Sequence, residues 1–146
     1  MARKILIGID PDCESVGYAF KNGSEVVLKN LAFFELFDTL KAVKDNPDYT
    51  DHKIQVYVEA GYLNGGNRHK VENGSHALNS KIGERIGANH EVSKKISEMC
   101  NYLGLENFKI RPSQTKVNAE FFKKMTGITT RTNSEQRDAC VMIWGL

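Results

Sequence analysis

A chain of 146 residues fits one domain with a core of its own, and we read residues 1–146 as a single domain. The composition, 40% hydrophobic and 26% charged, is that of a soluble protein, and no apolar run approaches the ~20 residues that cross a bilayer. A net charge of +2 barely favours a nucleic-acid partner, but residues 1–50 hold six Lys/Arg against eight Asp/Glu and the remainder fourteen against ten, so a basic surface would have to come from the later segments.

In chain order, Arg3 to Asp10 is a short, nearly continuous apolar run, as expected of a strand buried on both faces. It is too short for the apolar core of a signal peptide and has no small-residue cleavage site behind it, so a cytoplasmic protein is expected. Asp10-Pro11-Asp12 ends the strand. Residues 16–21 and 25–31 read as strands joined around Asn22-Gly23, two residues that accept positive φ. Apolar Phe34, Phe37, Leu40 and Val43 recur at helical spacing over 34–44, and Asn46-Pro47 closes that helix. Alternation over 53–59 puts Ile54, Val56 and Val58 on one face of a fourth strand and Gln55, Tyr57 and Glu59 on the other. Residues 64–75 are glycine-rich and polar, an exposed loop. A long helix over 78–103 carries Ile82, Ile86, Val92, Ile96, Met99 and Leu103 roughly on one stripe. Gly83 and Gly87 on it suggest close approach by another backbone or a nucleic acid, or tight packing on the sheet. A fifth strand over 108–111 ends at Pro112, with Ser113 as the cap of a helix through about 125. After a polar connection over 126–133, a final helix over 134–146 has apolar residues nearly all round and is expected to be buried. The order implies an α/β fold with one mixed sheet flanked by helices.

Cys13, Cys100 and Cys140 are odd in number and widely spaced, which fits neither a disulfide framework nor a zinc site. His52, His69, His76 and His90 form no ligand pattern. The acids are more informative. Asp10 ends the first strand, Glu59 ends the fourth, and Glu135 and Asp138 lie three apart near the start of the last helix, where they can face one point. If the first and fourth strands are adjacent, three distant segments deliver carboxylates to one end of the sheet. Converging carboxylates repel unless a cation neutralises them, and hard oxygen ligands suit Mg²⁺ or Mn²⁺. Each acid also has a plainer use. Asp10 or Asp12 can bond turn amides, Glu59 can be an exposed strand-end acid, Glu135 can close a capping box with Thr132, and Asp138 can favour a helix N-terminus.

Ile7-Gly8-Ile9-Asp10-Pro11 followed by Val16-Gly17-Tyr18-Ala19 resembles the opening hairpin of the RuvC-type Holliday junction resolvases, members of the RNase H-like superfamily. Val58-Glu59-Ala60-Gly61-Tyr62 resembles their second acidic strand, Arg137-Asp138-Ala139-Cys140-Val141-Met142 their final helix, and Ile82-Gly83 to Gly87 a step in their long helix. The resemblance implies an RNase H-like fold with a mixed five-stranded sheet, three antiparallel strands followed by parallel additions. It implies an endonuclease that cuts four-way DNA junctions with Mg²⁺ or Mn²⁺, two ions per subunit held by Asp10, Glu59, Glu135 and Asp138. Two ions about 3.5 to 4 Å apart activate water and stabilise the leaving oxygen. Glu135 stands where the bacterial members usually carry aspartate.

Toward the DNA, Lys116, expected in the helix after Pro112, is the candidate for reaching the scissile phosphate, with Lys123 and Lys124 behind it. Arg68, His69, Lys70, Arg111, Arg131 and Arg137 are candidates for backbone phosphates, though Arg137 can equally pair with a carboxylate. Tyr62 matches an aromatic position that the family places near the branch point, where it would stack on an unpaired base; a core tyrosine is the alternative. Two symmetric cuts call for a homodimer, and the resemblance puts the long helix at its interface. Another RNase H-like nuclease acting on RNA–DNA hybrid or structured RNA, and a non-cleaving junction-binding protein, are the alternatives.

Overall fold

The computed structural model of the protein describes residues 3–64, 74–113 and 115–146; Arg68, His69 and Lys70 lie outside them. Three strands open the chain: β1 (Arg3–Asp10), β2 (Val16–Asn22) and β3 (Glu25–Leu31). The β2–β3 turn pairs Asn22 with Glu25 and puts Gly23 at φ 61°, a conformation that glycine adopts without strain. Helix α1 (Phe33–Asp45) and a short 3-10 turn at Pro47–Tyr49 lead to β4 (His52–Glu59). A second 3-10 turn, Gly61–Leu63, precedes the long α2 (His76–Leu103), then β5 (Glu106–Ile110), α3 (Ala119–Thr126) and α4 (Ser134–Trp144).

The five strands form one sheet in the order β3-β2-β1-β4-β5. β1 runs antiparallel to β2 and parallel to β4, and β5 is parallel to β4. This is the mixed five-stranded sheet expected from the sequence, three antiparallel strands followed by parallel additions. Period-2 alternation divides the core between its faces. Ile5, Ile7, Ile9, Val56 and Val58 pack against Leu36 and Leu40 of α1 and Ile96, Met99, Cys100 and Leu103 of α2. Leu6 and Ala19 pack on the other face with Phe122 of α3 and Ala139, Cys140 and Ile143 of α4. Among the described residues no helix is long and apolar enough to cross a membrane.

Four local expectations need correction. Phe34 is 80% exposed, and Leu36 takes the inward place on α1; with two adjacent phenylalanines the helical phase is ambiguous. Ser113 caps no helix. Its hydroxyl turns back on Thr115, and α3 starts later, where the Asn118 side chain accepts from the Phe121 amide. The cap of α4 is Asn133, which forms a reciprocal box with Gln136, so Thr132 and Glu135 do not make one. The last helix is fully buried only at Ala139, Cys140 and Ile143, the rest of Glu135–Trp144 being half-buried. On α2, Ser93 is the first buried residue. Ile82, Ile86 and Val92 are half-buried, and a Cβ added at Gly87 would meet nothing.

Candidate active site

The site is built by register. Ile9 of β1 lies beside Val58 of β4, so the next residues, Asp10 and Glu59, stand together at one end of the sheet. Alternation turns both toward the face that carries α4. A side chain at Gly8 would come within 2.0 Å of the Ala139 carbonyl oxygen, and one at Gly17 within 2.2 Å of that of Glu135. The two glycines therefore let the α4 backbone settle directly on β1 and β2, which delivers Asp138 to the strand ends. One oxygen each from Asp10, Glu59 and Asp138 lie within 4.8 Å of one another, and all three residues are half-buried. Glu135 is outside this group, although its charge still acts on Asp10.

Lys116 joins the cluster from the irregular segment between β5 and α3, not from a helix, and its Nζ donates to Asp138 Oδ2 at 2.9 Å. The segment is held from α4 by Arg137, whose guanidinium donates to the Val117 carbonyl at 3.2 Å and to the Thr132 carbonyl at 2.9 Å. Arg137 thus bonds two backbone oxygens and the Thr132 hydroxyl at 3.2 Å, and among the described residues it pairs with no carboxylate. From the opposite side, three residues of α2 brace the strand ends. Ser93 donates to the Glu59 carbonyl at 2.7 Å, Asn89 accepts from the Cys13 amide at 2.9 Å, and Arg85 lies 3.7 Å from Asp12 and 3.8 Å from Glu14. Asp12 itself accepts from the Glu14 amide, the turn role expected of it. The bracing residues escaped the sequence reading, although their spacing of four, a polar row on an otherwise ordinary helix, is the signal that would have found them.

Burial and the neighbouring charges of Glu59, Asp138 and Glu135 push the Asp10 carboxyl up to about 8, against the opposing pull of Lys116. Burial also raises Glu59, with Lys116 opposing and Asp138 adding to the rise. For Lys116, burial lowers the pKa, but the hydrogen bond to Asp138 and the charges of Glu59, Asp138 and Asp10 outweigh it and the net shift is upward. Three carboxylates and one ammonium leave an excess of negative charge in a partly desolvated place. That, with a donor set made only of hard oxygens, fits a divalent cation such as Mg²⁺ or Mn²⁺.

The Tyr62 ring meets His90 edge-on at 6.1 Å between centroids, under Lys94 Nζ at 5.2 Å, and its hydroxyl is buried with no hydrogen-bond partner among the described residues. Arg111, Lys123, Lys124 and Arg131 are exposed, and Lys124 is 3.9 Å from Glu120.

No family model and no curated protein matches the chain. Among solved structures it is similar to T. thermophilus RuvC in complex with Holliday junction substrate, at 16% identity and TM-score 0.45, over 93% of this chain and 87% of that one. It is also similar to a Thermus thermophilus RuvC structure at 18% identity and TM-score 0.41, over 92% and 88% respectively.

Proposed function

We propose that the protein is a metal-dependent endonuclease that cuts four-way DNA junctions. The observation that carries this reading is the half-buried convergence of Asp10, Glu59 and Asp138, with Lys116 bonded to Asp138. A site of three carboxylates and a lysine is suited to charge-dense chemistry at phosphate, and the sequence motifs around each acid resemble those of the resolvases.

In this reading Asp10, Glu59 and Asp138 hold Mg²⁺ or Mn²⁺, two ions per subunit, with Glu135 assisting from the first turn of α4. The ions supply an activated water and neutralise the leaving oxygen. Lys116 places its ammonium beside a non-bridging phosphate oxygen and so offsets charge that grows in the transition state. Ser93 and Asn89 fix the backbone at the Glu59 and Asp10 ends, so the acids stay in register when the DNA arrives. Arg111, Lys123, Lys124, Arg131 and, from the loop outside the described residues, Arg68 and Lys70 hold backbone phosphates, while Tyr62 stacks at the branch. The partner is a second copy of the chain, because an unbranched product requires two cuts and each chain carries one cluster.

The deciding experiment incubates the protein with a synthetic four-way junction, a matched duplex and an RNA–DNA hybrid, each with Mg²⁺ and with EDTA. Metal-dependent cutting of the junction in two symmetry-related strands is the expected result. Equal cutting of the hybrid would reassign the substrate, and binding without cutting would remove the enzyme.

A further inference from the structure

The sheet face that carries the acids is only partly roofed. Helix α4 lies over β1 and β2, reaches β3 and only touches β4, while α2 packs on β4 and β5 from the opposite face. Along β4 the residues turned to the α4 side are Lys53, Gln55, Tyr57 and Glu59, and the register with β5 sets Glu106 beside Gln55, Phe108 beside Tyr57 and Ile110 beside Glu59. Tyr57 and Phe108 are stacked, with centroids 5.0 Å apart and planes 20° from parallel. Phe108 keeps 36% of its surface exposed. Tyr57 is anchored on its inner side against the α4 core and through its hydroxyl, which donates to Gln55 Oε1 at 3.4 Å. The pair is therefore a fixed aromatic surface and not two free rings. A polar rim follows it, in which the exposed Glu106 carboxylate accepts from the buried Gln55 amide at 3.4 Å and lies 3.7 Å from exposed Lys53.

We propose that Phe108, backed by Tyr57, is a stacking platform for an unpaired nucleobase of the substrate strand next to the phosphate held at Asp10, Glu59 and Asp138. The proposal rests on the nuclease reading for its choice of occupant. Tyr57 and Glu59 are two residues apart on one strand, roughly 6.6 Å at a rise of about 3.3 Å per residue. Phe108 lies one strand further out, so the platform is within one nucleotide's reach of the acids. Aromatics presented on an open sheet face are a general means of holding splayed bases. The exposed rim supplies an acceptor carboxylate at Glu106 and an ammonium at Lys53, groups that a base edge uses and an apolar protein partner does not. A ring already fixed by its neighbour loses little freedom on stacking, so such a site binds without further ordering.

The test uses a single-stranded oligodeoxynucleotide with one 2-aminopurine, whose fluorescence reports stacking, in EDTA so that cutting plays no part. Phe108→Leu keeps an apolar side chain at an exposed position and removes the π-face; Phe34→Leu, on the opposite side of the sheet, is the control. We expect Phe108→Leu to weaken binding by about fivefold or more and to abolish the fluorescence change, with Phe34→Leu unaltered. Tyr57→Phe, which retains the ring and drops the hydroxyl, should behave close to the parent. Parental binding and fluorescence in Phe108→Leu would overturn the platform, as would an altered sedimentation coefficient with unaltered oligonucleotide binding, which would make the face a protein contact. Junction cleavage by the parent is scored separately. Cleavage without any effect of Phe108 sinks the platform alone, and a Phe108-dependent interaction without cleavage sinks the nuclease alone.

Discussion

Among single residues, the three converging acids differ from Glu135 in a way that mutation will read. In the function we propose, Asp10→Asn or Asp138→Asn should abolish junction cutting while junction binding persists, since the phosphate contacts proposed for Arg111, Lys123, Lys124 and Arg131 are left in place; a gel-shift and a cleavage assay on the same variant separate the two. Glu135 neither caps α4 nor joins the close group, so Glu135→Gln should lower cutting by roughly 10- to 100-fold, the usual effect of a group that supports a metal ligand, without changing the melting temperature. The raised pKa of Asp10 has a further consequence for stability. Its folded value of about 8 stands above its ordinary 3.8, so the folded state binds the proton more tightly than the unfolded one. That contribution is complete below about pH 4 and is lost as pH rises through 8. Metal-free protein should therefore lose stability between pH 5 and pH 8, and Asp10→Asn should flatten the profile. By urea unfolding at pH 8 in EDTA the variant should be more stable than the parent. A parent profile that rises over this range would contradict the electrostatic account.

The elements that place the acids depend on two missing side chains. Gly8→Ala or Gly17→Ala would drive a methyl into a carbonyl of α4, and overpacking against backbone costs typically about 1 to 3 kcal/mol. Since α4 must lift to relieve it, each variant should lose Mn²⁺ affinity as well as stability, which calorimetric titration and urea unfolding measure independently. Much of this arrangement was legible. Uninterrupted apolar runs, clean alternation and Asn22-Gly23 marked β1 to β4, and the Asp10–Glu59 pairing followed once β1 and β4 were neighbours. The acids of α4 were legible as a three-residue spacing. Less legible were the helix starts, because Ser113 after a proline and Thr132 before Glu135 imitate caps that Asn118 and Asn133 provide. The bracing by Ser93, Asn89 and Arg137 was hidden for a different reason: each bonds a backbone atom far away in sequence or outside its own helix, and a carbonyl or amide leaves no letter in the sequence. Phe108 was recognised as strand, but its exposure depends on how far α4 extends across the sheet, which no local pattern records.

For the whole molecule, the salient asymmetry is α2. From His76 to Val92 no residue is buried, a length of roughly 25 Å at about 1.5 Å per residue. Leu78, Ile82 and Ile86 nevertheless recur every four residues along it, with Leu78 44% exposed. In the homodimer we propose, this stripe meets its copy. Ile82→Glu should then shift the sedimentation coefficient from dimer to monomer and leave junctions nicked in one strand where the parent cuts two; a parent that sediments as a monomer would refute the assembly. The α4–β1 junction also bears on how activity is acquired during folding. Asp10 lies on the first strand and Asp138 on the last helix, so the cluster closes one of the longer loops among the described residues, and contacts of such separation form late. A partly folded chain holds Asp10 and Glu59 at most. Refolding from urea should restore Mn²⁺ affinity in step with the final packing of α4 and not with the earlier collapse, so in the function we propose an incompletely folded molecule would not cut DNA.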